Sequence, residues 1–203
     1  MAPEPARSSY TAAEYLALER ASETRSELVN GQILAMTGAS RAHNLIAASI
    51  CREIGNHLKG RPCEAYQSDM RVKVSPTGPY TYPDVLVVCG QPQLEDEHGD
   101  TLLNPTVIVE VLTPSSEAYD RGEKFAHYRR LESLREYLVV AQDQPRIERY
   151  VRDGEHWVLS EASGLGASLD LPSTSCRLAL ADVYDKVTFE PEPSRAPTAT
   201  IAR

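Results

Sequence analysis

The sequence is poor in most of the features that place a protein quickly. Cysteine is scarce: Cys51, Cys63, Cys89 and Cys176 are the only four, and no two form a CxxC pair. With no histidine-rich cluster beside them, a structural zinc site is not expected. Scattered thiols without a secretory signal suit a reducing cytoplasm. The N-terminal MAPEPARSSY has no apolar core and so does not read as a signal. No apolar run approaches the length of a membrane span, which leaves no expectation of a membrane partner. Basic residues are outnumbered, 21 Lys and Arg against 29 Asp and Glu, for a net charge of −8. That disfavours a partner held by a broad basic surface, so any nucleic-acid contact has to be local. There is no internal repeat. What remains, 203 residues with 41% hydrophobic and 25% charged side chains, is one soluble globular domain with trailing ends.

Read in order, residues 1–9 are a flexible end, 10–189 a single domain, and 190–203 a Pro-rich tail expected to be disordered. Thr11–Arg20 predicts a short helix, with Thr11 and Glu14 in capping-box spacing. Asn30-Gly31 between two apolar arms predicts a tight hairpin, opened by Glu27. Ala42–Leu58 has helical spacing and stops near Gly60-Arg61-Pro62. Glu64–Val74 predicts a half-buried strand, with Met70, Val72 and Val74 on one side and Arg71 and Lys73 on the other. Tyr82–Val88 is an apolar strand with Asp84 near its start, and Gly90–Leu103 is a polar, acidic loop in which Glu95-Asp96-Glu97 is expected to be solvated rather than a metal cage. Thr106–Leu112 is a strand, Ser116–Leu131 a helix, and Glu136–Ala141 a further strand. A second hairpin is centred on Asp153-Gly154, Leu169–Leu180 is weakly patterned, and Leu178–Tyr184 suits a short helix. The order predicts an α+β (mixed α/β) plan around a central sheet.

The chemistry concentrates in Thr106–Tyr128, TVIVEVLTPSSEAYDRGEKFAHY. Val107, Ile108, Val109, Val111 and Leu112 are the pattern of a strand buried on both faces, and Glu110 interrupts it. A buried carboxylate needs a cation or a metal ion beside it. Asp84 lies 26 residues earlier, one loop away, so the two acids can meet in adjacent strands. Such a pair can share a hard divalent ion, which polarises a phosphoryl oxygen. Asp120, Lys124 and Tyr128 fall at i, i+4 and i+8, along one helix face. If that face covers the strand end, Lys124 reaches the space above both acids.

At these residues the chain resembles a known family. Pro83-Asp84, the run Ile108–Ser116, then Asp120, Lys124 and Tyr128, with Glu27–Ile33 and His43 upstream, are similar to the Uma2 family (domain of unknown function 820). That family is classed with restriction endonucleases of the PD-(D/E)XK nuclease superfamily. The resemblance spans about residues 9–185 and implies a restriction-endonuclease-like central sheet flanked by helices, with an N-terminal helix and hairpin and a C-terminal hairpin. It implies Mg²⁺ or Mn²⁺ held by Asp84, Glu110 and the backbone carbonyl of Val111. It further implies DNA as the substrate, in-line attack of water on a phosphodiester, and a homodimer. In the superfamily pattern the lysine stands two residues after the acid, where this chain has Leu112. Similar families move it to the following helix, which fits Lys124, there to position the water or steady the phosphate. Glu27 is implied as an additional acid.

Each of these residues also has a plainer reading. Asp84 could cap a turn, and Glu110 could form an internal ion pair with Lys124 that needs no metal. Glu27 could be a strand-edge charge, His43 a capping or packing residue, Gln142 a loop amide rather than part of the site, and Tyr128 core. Arg121, Arg129, Arg130 and Arg135 could touch a nucleic-acid backbone or form a solvated face. For the whole chain, the alternatives to a metal-dependent nuclease are a non-catalytic binding or assembly module that retains the fold, and a hydrolase of another phosphoester. The low pI of about 5.2 and the lack of a separate DNA-reading domain motivate the module.

Overall fold

The structure, a computed structural model, describes residues 9–189. The expected flexible N-terminus, apart from Ser9, and the expected tail over 190–203 lie outside the described residues. Thr11 caps α1 (Ala12–Ala21) by accepting from the Glu14 N–H, while the Glu14 carboxylate accepts from the Thr11 N–H at 2.9 Å. The hairpin β1 (Ser26–Val29) and β2 (Gln32–Ala35) turns on Asn30 and Gly31, both at positive φ (51° and 78°), the requirement of a type I′ turn. A side chain at Gly31 would also strike Ser9. Next come α2 (Arg41–Leu58), β3 (Cys63–Gln67), β4 (Arg71–Lys73), β5 (Tyr80–Thr81), β6 (Val85–Cys89), β7 (Thr101–Leu102) and β8 (Val107–Val111). A broken helix follows, made of α3 (Glu117–Tyr119), a π-helical turn over Asp120–Lys124, and α4 (Phe125–Tyr128). The chain ends in β9 (Glu136–Val140), β10 (Arg146–Asp153), β11 (His156–Ser163), β12 (Ser168–Leu171), β13 (Cys176–Ala179) and α5 (Leu180–Val183).

The main sheet has the order β11-β10-β9-β8-β6-β3. Only β8 and β9 run parallel within it, because the broken helix crosses over between them. Both faces are covered, so each strand reads as two interleaved rows. Val85, Val87, Val107, Val109, Leu138 and Val140 pack with Ile46, Ile50 and Ile54 of α2. Leu86, Val88, Ile108, Tyr137 and Val139 pack with Phe125 and Tyr128 of α4. A second sheet, β2-β1-β5-β4-β7, carries the hairpin, and β12-β13 form a two-stranded ribbon.

The mixed α+β plan stands as expected, with its strands divided among three sheets rather than one. The predicted strand Glu64–Val74 is two strands in different sheets, broken where Ser68 takes φ 31°. Arg71 does not face solvent. It is 3% exposed, forms an ion pair with Asp100, and donates to Tyr82 Oη (3.0 Å) and Thr101 Oγ1 (3.1 Å). The acidic loop is correspondingly tied down, with Glu95 accepting from Lys73 and Tyr80, and Asp96 and Asp100 held by Arg20. The second hairpin turns one residue later than expected, on Gly154-Glu155, since Asp153 pairs with His156. The weakly patterned stretch is the β12–β13 hairpin. Cys63 and Cys89 stand opposite each other in β3 and β6 and form a disulfide, which leaves two free thiols, Cys51 and Cys176.

Candidate active site

The site forms where the two larger sheets and the broken helix meet. Val85 pairs with Val109, so extending the antiparallel register by one residue sets Asp84 opposite Glu110. Glu110 belongs to the row of β8 that faces α4, where its neighbours are apolar, and it is only 4% exposed. Its Oε1 accepts from Lys124 Nζ and from Tyr128 Oη, each at 2.9 Å. Asp84 Oδ2 accepts from the Val111 N–H at 2.7 Å, which locks the two strand ends together. The same oxygen lies 3.2 Å from His43 Nε2.

Lys124 gathers acids from three elements. Besides Glu110, its Nζ lies 3.3 Å from Glu27 Oε1 on β1 and 3.7 Å from Asp120 Oδ1. Glu27 is held in turn by the Tyr82 N–H at 2.9 Å. The helix that carries Lys124 is π-helical from Asp120 to Lys124, a wide turn frequent at functional sites. Tyr137 supports that turn by donating to the Asp120 carbonyl (2.9 Å), and its ring stacks on Phe125 at 4.8 Å. Tyr128 is core, as the plainer reading had it, and also bonds Glu110.

Burial dominates the electrostatics. It pushes the Glu110 carboxyl well above its ordinary range; Lys124 opposes the shift, and Asp120, Asp84 and Glu27 add to it. Burial likewise raises Asp120. For Lys124, burial alone would lower the pKa, but Glu110, Glu27 and Asp120 together outweigh it and hold the ammonium charged. Three carboxyls therefore surround one ammonium, with Asp84 close to Glu110 as a fourth acid, and acids outnumber cations in the site.

A cavity of about 470 Å³ opens over these groups, lined among others by Glu27, His43, Asp84, Glu110, Val111 and Lys124. His43 sits in the first turn of α2, where Ser40 Oγ accepts from its backbone N–H, and its buried Nδ1 has no hydrogen-bond partner among the described residues. Gln142 does not line the cavity; its Oε1 accepts from Ser40 Oγ at 2.6 Å, so it braces the N-cap of α2. No local pattern marks Tyr119, which lines this cavity and whose buried hydroxyl has no hydrogen-bond partner among the described residues. Arg121 is committed to Glu117 and Glu148, and the rest of the basic run lies away from the cavity.

The donor set fits a hard divalent ion. The hydrogen bonds to Asp84 fall on Oδ2 and those to Glu110 on Oε1, which leaves one oxygen of each acid without a hydrogen bond from the described residues. No group of three or more His, Cys, Asp or Glu poised to cage a metal occurs among the described residues. Two carboxylates and a carbonyl match the sparse protein coordination of Mg²⁺, which keeps several waters.

Fold and site together give a mixed sheet that brings two acids to adjacent strand ends beside a helix-borne lysine. The model of the Uma2 family, described as "Putative restriction endonuclease", matches residues 12–181, and the chain belongs to that family. Two relatives from Synechocystis sp. are similar along most of their length. "Uncharacterized protein sll1609" is 35% identical over 79% of this chain and 91% of its own, and "Uncharacterized protein slr1290" is 36% identical over 87% and 92%. The fold is shared with the crystal structure of a "putative nuclease belonging to DUF820" from Anabaena variabilis. The two agree with a TM-score of 0.70 at 20% identity, over 86% of this chain and 97% of that one.

Proposed function

We propose that the protein is a divalent-metal-dependent endonuclease that hydrolyses DNA phosphodiesters at Asp84, Glu110 and Lys124. The observation that carries this reading is the meeting of Asp84 and Glu110 at neighbouring strand ends, each with an oxygen unbonded by protein, beside a buried lysine. The residues to hold Mg²⁺ or Mn²⁺ are Asp84, Glu110 and the Val111 carbonyl. Such an ion supplies Lewis acidity toward a phosphoryl oxygen and lowers the pKa of water. Lys124, held in place by Glu27 and Asp120, offers positive charge where charge develops on the phosphate. His43 and the Val111 N–H fix the rotamer of Asp84. The chain's own contribution is thus preorganised charge around the cavity, and no covalent intermediate is needed.

The test is cleavage of DNA with Mg²⁺ or Mn²⁺ by the wild type, Glu110→Ala and Lys124→Ala. Loss of roughly 10²–10³-fold is expected for Lys124→Ala, the usual cost of removing one charge-stabilising group. Cleavage that survives Glu110→Ala would remove this site from consideration. One observation favours a second reading, a binding or assembly module that retains the fold. Lys124 and Glu110 already neutralise each other at 2.9 Å, as a purely structural pair would. Calorimetry separates the two, since the module predicts no Mn²⁺ binding that depends on Asp84.

A further inference from the structure

The mouth of the cavity is poor in the groups that hold a duplex. Among the residues lining it, Lys124 and His43 alone carry basic side chains, and both face inward to acids. None of the arginines beside the lining residues lines the cavity itself: Arg25 pairs with Asp69, Arg121 with Glu117 and Glu148, and Arg41 reaches the Lys186 carbonyl at 3.5 Å. A double helix is gripped through many phosphates, most of them by Lys and Arg. Nothing lining this mouth supplies that grip.

One lip of the mouth is apolar instead. Leu34 and Met36 line the cavity and are 43% and 41% exposed, two of the few large hydrophobic side chains left open to solvent. They stand two residues apart on extended chain, so both project to one side. Leu34 pairs across the hairpin with Glu27, the acid bonded to Lys124, so this apolar surface adjoins the polar site directly. Leu34 lies in β2 and Met36 follows it directly; β2 is the edge of its sheet, and among the described residues no further strand pairs with it on that side. The same cavity is also lined by Thr113, Ser115, Ser116 and Tyr119, neutral hydroxyl groups. One inward cation beside an apolar ledge matches a single phosphate with a neighbouring base laid on the ledge. Paired bases, turned inward in a helix, cannot use such a ledge; unpaired bases can.

We infer that the nucleic acid this cavity accepts is an unpaired strand, with a base or sugar face resting on Leu34 and Met36 beside the phosphate at Lys124. The inference rests on the nuclease reading for its chemistry, but its own test is binding. Fluorescence anisotropy of the full chain, with Ca²⁺ replacing Mg²⁺, compares one labelled oligonucleotide as a single strand and as a perfect duplex. The single strand is expected to bind about tenfold or more tightly, and Leu34→Ser with Met36→Ser to weaken it about tenfold, the scale of one lost base contact. Mn²⁺ binding and the melting temperature should not change, since both side chains are exposed. Equal affinity for the duplex, an unaffected double variant, or no binding of either form each overturns the inference. Selective single-strand binding without cleavage in Mg²⁺ or Mn²⁺ leaves it standing and sinks the nuclease reading. Indiscriminate cleavage of duplex does the reverse.

Discussion

Replacing Lys124 with methionine should separate a buried charge cluster from a loose surface pair. Lys124 is 6% exposed and is the common partner of Glu110 at 2.9 Å, Glu27 at 3.3 Å and Asp120 at 3.7 Å. Methionine keeps most of the side-chain volume, so the packing loss is small and the change is mainly electrostatic. It leaves three buried acids without their shared cation. Removing one partner of a buried ion pair costs about 3–5 kcal/mol. For a domain of this size, each kcal/mol lowers the melting temperature by about 2–4 °C, so a drop of roughly 6–20 °C is expected. Glu110→Gln should behave differently. The amide oxygen can still accept from Tyr128 and Lys124, and one of the three acids around Lys124 is gone, so the cost should stay below about 1 kcal/mol. In the double variant the two effects should fail to add, with a coupling of about 2 kcal/mol. Urea denaturation followed by circular dichroism, in EDTA to exclude adventitious metal, measures all four corners of the cycle. Additivity within about 0.5 kcal/mol would refute the reasoning, because it would mean that the two groups do not share a desolvated environment.

Three further outcomes follow from the same structure. His43→Ala removes the ring that steadies Asp84, and calorimetry should show Mn²⁺ affinity reduced about 10–100-fold; an unchanged affinity would make His43 a packing residue. Asp100 is held below the usual carboxylate range, chiefly by its hydrogen bonds to Arg20 and then by Arg71. A lowered folded-state pKa stabilises the fold above the unfolded carboxylate's pKa and is lost as pH falls through the folded value. Wild type should therefore exceed Asp100→Asn in stability near about pH 7, and the gap should close in acid. A gap independent of pH would refute the assignment. The Cys63–Cys89 disulfide spans 26 residues between neighbouring strands, so reduction should cost about 3 kcal/mol in urea midpoint experiments, provided that the reduced strands keep their pairing.

The parts of the site that sequence alone reveals are those where a local pattern is broken. Glu110 is conspicuous because every neighbour in β8 is apolar and both faces of the strand are buried, so an acid there needs an explanation. Asp84 follows from it, one strand away and in register. Lys124 was placed by helical phase, although the helix is π-helical at that point. The phase survives because four residues make close to one turn in either geometry, so Lys124 and Asp120 still share a side. Arg71 shows the opposite case. Alternation assigned it to solvent, and the rule failed because its partners, Asp100 and Thr101, arrive 29 and 30 residues later from a loop with no periodicity of its own. Glu27 lies between these cases. Its place in the hairpin was readable from Asn30-Gly31, but its contact with Lys124 joins two sheets whose meeting no local pattern encodes.

That contact bears on why the site is built at a junction. A lysine two residues after Glu110, at Leu112, would point to the same face, one residue past the end of β8. Leu112 instead packs in the core with Tyr128, and the cation comes from a helix that also touches the hairpin sheet through Glu27. The ammonium thus ties three elements together, β1, β8 and the π-helical turn, so its position depends on all of them being folded. A substitution in the hairpin that shifts Glu27 should therefore weaken the site without touching either acid assigned to the metal.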